Sequence, residues 1–137
     1  MGLFQQGNIQ GVKNRYIIRQ ERIKREGSPY YNYEVQVVAA AACVVIVPRE
    51  YWAASRKYEP LDWAEIVNND VVDVLACWNG NNTIIVLAGT IRYIEGGPIH
   101  QLRITNNDGA VSTTADKIRI TMRREPFTID KWARRQK

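Results

Sequence analysis

The polar and apolar positions of this chain change rhythm several times, and each change marks an element. Near the C-terminal end, Ile118, Ile120 and Met122 alternate with Lys117, Arg119, Thr121 and Arg123. A period of two predicts a strand with one apolar face and one cationic face. Upstream, VVDVLACW and TIIVLAGTIRYI flank Asn79-Gly80-Asn81-Asn82. Asn-Gly supplies the positive φ angles of a tight turn, so the segment reads as a hairpin. Glu95-Gly96-Gly97-Pro98 and Asn106-Asn107-Asp108-Gly109 predict turns on either side of the strand IHQLRIT.

The run VQVVAAAACVVIV, Val35 to Val47, has only Gln36 as a polar residue in thirteen. It is too short for a bilayer span, which needs about 20 apolar residues. Its valine-rich ends and the Pro48 stop favour a strand, while Ala39 to Ala42 favour a helix. As one strand it would reach roughly 43 Å, so a bend near the alanines, or two strands meeting there, is expected. Small side chains also admit a second backbone, which predicts a crowded crossing at which Ala41→Leu overpacks.

Two segments read as helical or ambiguous. In PLDWAEIVNN, residues 60–69, Asp62 can cap, Glu65 can reach back and Leu61 can staple Ile66, predicting a short helix. In KNRYIIRQERIKRE, Tyr16-Ile17-Ile18 suits a strand, whereas Val12, Tyr16, Arg19 and Ile23 form a thin helical face. The expected fold is therefore mainly β, a small antiparallel barrel or sandwich with one short α-helix and extended N- and C-terminal arms. The expected divisions are a basic N-terminal arm (1–29), a β-rich domain (30–125) and a basic C-terminal tail (126–137).

Charge sharpens these divisions. Residues 1–29 carry six Lys/Arg against two Glu, residues 30–115 five against nine acidic side chains, and residues 116–137 eight against three. An acidic middle with basic ends suits either an anionic partner or arms that dock on a neighbouring copy. A chain of 137 residues is one domain in length. MGLFQQGNIQG lacks the pattern of a secretory leader, and Gln6 stands where a myristoylation sequence has Ser or Thr. Cytoplasmic synthesis follows as an expectation, with Cys43 and Cys77 as buried free thiols. It also removes any meaning from the glycosylation pattern Asn81-Asn82-Thr83.

The residues for most catalysis are missing from the pattern. His100 is the only histidine and lies in an alternating strand, without a nucleophile spaced for a triad. Two cysteines 34 positions apart with one histidine show no zinc spacing. Gly96-Gly97-Pro98 is a turn rather than a phosphate cradle, since proline removes a donor. Asp70 and Asp73, with Glu65, could serve a cation or acid/base work, but a helix end and an exposed strand position account for them. No catalytic residue, metal or cofactor is expected, nor a membrane or a small-molecule substrate.

The reading this leaves is a non-enzymatic structural subunit of a larger oligomeric assembly. A virus or phage particle component, stabilising a shell or joining head to tail, is the expected setting, with incorporation into a virion. Its arms would dock through Phe4, Arg15, Arg19, Arg22, Phe127, Trp132, Arg134 and Arg135 on other subunits. The alternative is a small β-barrel that binds single-stranded nucleic acid through Lys117, Arg119 and Arg123 with Tyr31, Tyr33 and Trp52. It draws on seven aromatics between Tyr30 and Trp63, among them Tyr51 and Tyr58, interleaved with Arg49, Arg56 and Lys57.

Overall fold

The computed structural model describes residues 15–127. The described residues open in a helix, α1, whose described part is residues 15–26. Strands β1 (Tyr31–Val35) and β2 (Cys43–Ile46) follow, then a single helical turn, α2 (Pro48–Tyr51), and a 3-10 segment (Ala53–Tyr58). Six more strands complete it: β3 (Leu61–Asn68), β4 (Val74–Trp78), β5 (Asn82–Val86), β6 (Thr90–Ile99), β7 (Leu102–Asn106) and β8 (Ile118–Arg123).

These strands form two four-stranded antiparallel sheets, ordered β1-β8-β3-β6 and β2-β7-β4-β5. Consecutive strands usually lie in different sheets. One buried cluster draws on both, with Val35, Ala64, Ile66, Ile94, Ile118, Ile120 and Met122 from the first and Ile46, Val74, Ala76, Val86, Leu102 and Ile104 from the second. The alternation of β8 is as expected, with Ile118, Ile120 and Met122 fully buried.

Residues 60–69 are the clearest correction. They form a strand, not a helix, and β3 is central in its sheet, bonded to β6 on one side and β8 on the other. The period of two, with Ala64 and Ile66 inward and Trp63, Glu65 and Val67 outward, outweighs the local capping signature. Asp62 caps no helix. Its carboxylate accepts the Glu125 N–H at 2.8 Å.

The alanine run divides as two strands rather than one. β1 ends at Val35 and β2 starts at Cys43, in the other sheet, and the alanines occupy the connection. Ala41 is exposed at φ 59°, so no crowded crossing forms there. The connection is tied down instead. The Val38 N–H donates to Thr113 Oγ1 at 2.7 Å, the Thr113 N–H returns to the Val38 carbonyl at 3.0 Å, and the Ala41 N–H reaches the Asp108 carbonyl at 3.0 Å. Cys43, expected to be buried, is exposed, because the first residue of β2 lies on that strand's outward side; Cys77 is buried.

The β4–β5 hairpin forms as expected, with Asn79 and Gly80 at φ 56° and 80°. The segment after it does not continue as one strand. A turn at Leu87–Gly89, with Gly89 at φ 74°, moves the chain into the first sheet as β6. Gly96-Gly97-Pro98 lies within β6 rather than in a turn, which falls at His100-Gln101 instead. Proline is tolerated there because β6 is an edge strand.

Candidate interaction surface

Strand parity sorts the aromatic residues into two groups that the sequence shows as one. On β1, Tyr31 and Tyr33 point inward with Val35 and pack against the core together with Trp52 and Tyr58. Tyr31 stacks on Trp52 with ring centroids 5.6 Å apart, and Tyr33 meets Tyr51 edge-on at 4.8 Å. Trp52 Nε1 donates to the Asn32 carbonyl at 3.2 Å, which fixes the helical segment over this edge strand. Burial is the first cause that raises the Tyr31 hydroxyl above its ordinary value, and it pushes Tyr33 up to about 12, helped by the hydrogen bond and proximity of Tyr51.

The other group lies on the outer face of the first sheet. The register places Arg123 beside Trp63 and Trp63 beside Glu95; one row on, Asn32, Thr121, Glu65 and Tyr93 line up; a third row holds Glu34, Arg119, Val67 and Ile91. Tyr30 extends the first row: the Arg123 guanidinium lies 4.4 Å from its ring centroid and donates to its hydroxyl at 2.8 Å. Tyr30, Trp63 and Tyr93 form a strip of rings with successive centroids 6.0 Å apart. Tyr30, Tyr93 and Ile91 are each at least half exposed, at 58%, 52% and 50%.

Polar side chains frame this strip. Arg119 pairs with Glu34 at 3.4 Å, and Thr121 Oγ1 donates to Asn32 Oδ1 at 2.7 Å. The Glu65 carboxylate beside Tyr93 raises that tyrosine above its ordinary value, first through its charge and then through a hydrogen bond. Arg119 and Arg123 thus share one column of exposed or half-buried positions on β8, with exposed Lys117 just before the strand. Tyr31, Tyr33 and Trp52, read with them in the sequence, stand on the opposite side of β1. Tyr93, Ile91 and Glu65 were missed as surface residues. The alternation Ile91, Tyr93, Glu95 against Ile94 was the available signal, and the predicted helix over β3 hid its partner row.

Helix α1 is the second exposed feature. Ile23 is its buried apolar side chain, while Tyr16, Ile17 and Ile18 are 64%, 50% and 56% exposed. Arg15, Arg19 and Arg22 line a cleft of about 400 Å³ with Ile18, Lys57 and Tyr58. Gly27 ends the helix at φ 72°, its N–H bonding to the Ile23 carbonyl at 2.8 Å. Ser28 then binds the chain after β8: its N–H reaches the Arg124 carbonyl at 2.9 Å and its hydroxyl accepts the Arg124 N–H at 2.8 Å. Phe127 is exposed, and its N–H donates to the Lys24 carbonyl at 2.5 Å. Phe4, Trp132, Arg134 and Arg135 lie outside the described residues.

The residues weighed for chemistry have structural work. Buried Asp70 accepts from the Val71 and Thr114 N–H groups at 2.7 and 2.6 Å, and Asp73 accepts from the Ala88 N–H at 2.8 Å. His100 sits exposed at a turn, its backbone N–H held by Asn79 Oδ1 at 2.7 Å. Among the described residues, no three His, Cys, Asp or Glu side chains are grouped to hold a metal, and no helix is long and apolar enough to cross a membrane.

No family profile matches the chain, and no curated protein matches it significantly. Among solved structures, the plu4264 protein from Photorhabdus luminescens is similar over 80% of this chain and 75% of that one, at 10% identity and a TM-score of 0.40.

Proposed function

We propose that this chain is a jelly-roll sandwich and serves as a non-enzymatic structural subunit of a multimeric assembly, of the kind that builds virus and phage particles. The orders β1-β8-β3-β6 and β2-β7-β4-β5 support the jelly-roll reading, because two Greek keys folded over each other produce that interleaving. Jelly rolls occur in capsid proteins, lectins and cupins, so the fold alone does not choose among functions.

The observation that carries the assembly reading is α1. A surface helix draws most of its stability from covering its apolar residues rather than from helix propensity. Here Tyr16, Ile17 and Ile18 remain at least half exposed beside Arg15, Arg19 and Arg22. A neighbouring subunit with an acidic surface would cover the apolar residues and neutralise the arginines. Phe127, exposed beside Lys24 at the C-terminal end of α1, adds a second exposed apolar side chain near that helix.

Light scattering at low and high salt tests this. A multimer at micromolar concentration whose mass falls on Ile17→Asp with Ile18→Asp is expected; a salt-insensitive monomer would refute the reading. The single-stranded nucleic-acid alternative draws on Arg119 and Arg123 of β8 with Lys117 just before it. An oligonucleotide added to the same low-salt sample tests it, since such binding falls steeply with salt.

A further inference from the structure

We infer that the outer face of the first sheet pairs with the same face of a second copy of this chain, about a two-fold axis that runs parallel to the strands between β8 and β3. The inference rests on the assembly reading above and names one of its interfaces. Trp, Tyr and Arg are the residues that dominate binding energy at protein interfaces, and this face centres on Tyr30, Trp63, Tyr93 and Arg123. An outward sheet face in water is ordinarily polar. This one instead carries half-exposed Ile91 and Tyr93 with Val67 alongside.

Charge selects the occupant. The cations occupy one column, Arg119 and Arg123 on β8 with Lys117 just before it, and Glu65 and Glu95 occupy the two columns to one side on β3 and β6, with Glu34 on the other flank. Three cations against three carboxylates make a face with no net field to hold a polyanion. The columns are nevertheless segregated, and segregated columns suit self-pairing. Rotation about an axis along the strands lays β8 of one copy over β3 of the other. Arg119 and Arg123 then flank Glu65 of the second copy, and Arg123 comes opposite Trp63 of the second copy, a favourable cation-aromatic contact. An axis across the strands would instead lay β8 over β8, cation on cation.

The test is a charge-reversal cycle read by light scattering, with melting curves to verify folding. Glu65→Arg alone and Arg119→Glu alone should each raise the dissociation constant at least about tenfold. The double variant Glu65→Arg with Arg119→Glu should restore association, because both surfaces reverse together only if the partner is the same chain. Ile91→Glu, at a half-exposed edge position that this axis lays over Glu34 of the second copy, should weaken association with the melting temperature unchanged. If the protein assembles and none of these variants changes its mass, the face is not the interface, although the assembly reading survives. Loss without rescue in the double variant would mean a different partner, and oligonucleotide binding abolished by Arg119→Glu at constant mass would mean a nucleic-acid surface. Both would overturn the inference. A wild-type monomer would overturn both readings.

Discussion

Asn106 donates through Nδ2 to the carbonyl of Val38 at 3.1 Å, joining the end of β7 to a loop 68 positions earlier in the chain. The same nitrogen reaches the Val111 carbonyl at 2.8 Å, and Oδ1 accepts the Asp108 N–H at 2.9 Å. One buried amide therefore holds both sides of a connection that has no regular structure. Asn106→Ala should destabilise the fold by about 2 to 4 kcal/mol in urea unfolding, since it strands buried carbonyls without a donor. Asn106→Asp should cost more, because a carboxylate would face carbonyl oxygens.

Ala41 is exposed and has left-handed backbone geometry. Ala41→Leu should consequently change stability by less than about 0.5 kcal/mol, where crowding would have given a loss. Ala41→Gly should stabilise by up to about 1 kcal/mol and Ala41→Val destabilise by about 1 kcal/mol, since glycine tolerates positive φ best and a branched side chain worst. Thermal melts of the three variants check the order.

Gly27 is where α1 meets the chain after β8. A methyl carbon there would stand 2.5 Å from the Arg124 carbonyl oxygen and 2.9 Å from Pro126 Cδ, at φ 72°. Gly27→Ala should destabilise by about 2 kcal/mol or more and raise protease sensitivity in residues 15–26. Gly89→Ala, at φ 74° with no neighbouring atom within 4 Å, should cost only about 1 kcal/mol of backbone strain.

Tyr33 should ionise late, at about 12 against an ordinary 10.0. A hydroxyl whose folded value is raised stabilises the native state fully below the unfolded value, and that contribution disappears as pH climbs from 10 through 12. Tyr33→Phe should flatten the alkaline arm of the stability profile over this window, with absorbance titration reporting one fewer late phenolate.

The two thiols should behave differently. Exposed Cys43 should react with a thiol reagent at once, and buried Cys77 only after unfolding. Two rapid equivalents in the native protein would contradict the burial of β4.

Where local pattern and tertiary environment agree, the residues were readable in advance. The β8 alternation, the Asn79-Gly80 turn and the predominance of strands follow from side-chain periodicity and the φ preferences of turn residues. Where they conflict, packing wins. Asp62 and Glu65 carry a capping signature, yet flanking strands on both sides satisfy the β3 backbone and bury Ala64 and Ile66. The candidate surface was half legible. Lys117, Arg119 and Arg123 were recognisable as one cationic column, but Tyr31, Tyr33 and Trp52 were grouped with them because nearness in sequence does not reveal which side of an edge strand a ring takes.

The sequence by itself determined the β character, the segregated charge and the breaks at Pro48 and Asn79-Gly80, because each depends on residues adjacent along the chain. Only the tertiary structure decided which strands are neighbours, and so that Tyr30, Trp63 and Tyr93 share one row while the alanines lie in a loop. Those placements depend on contacts between residues tens of positions apart, and no local preference encodes them.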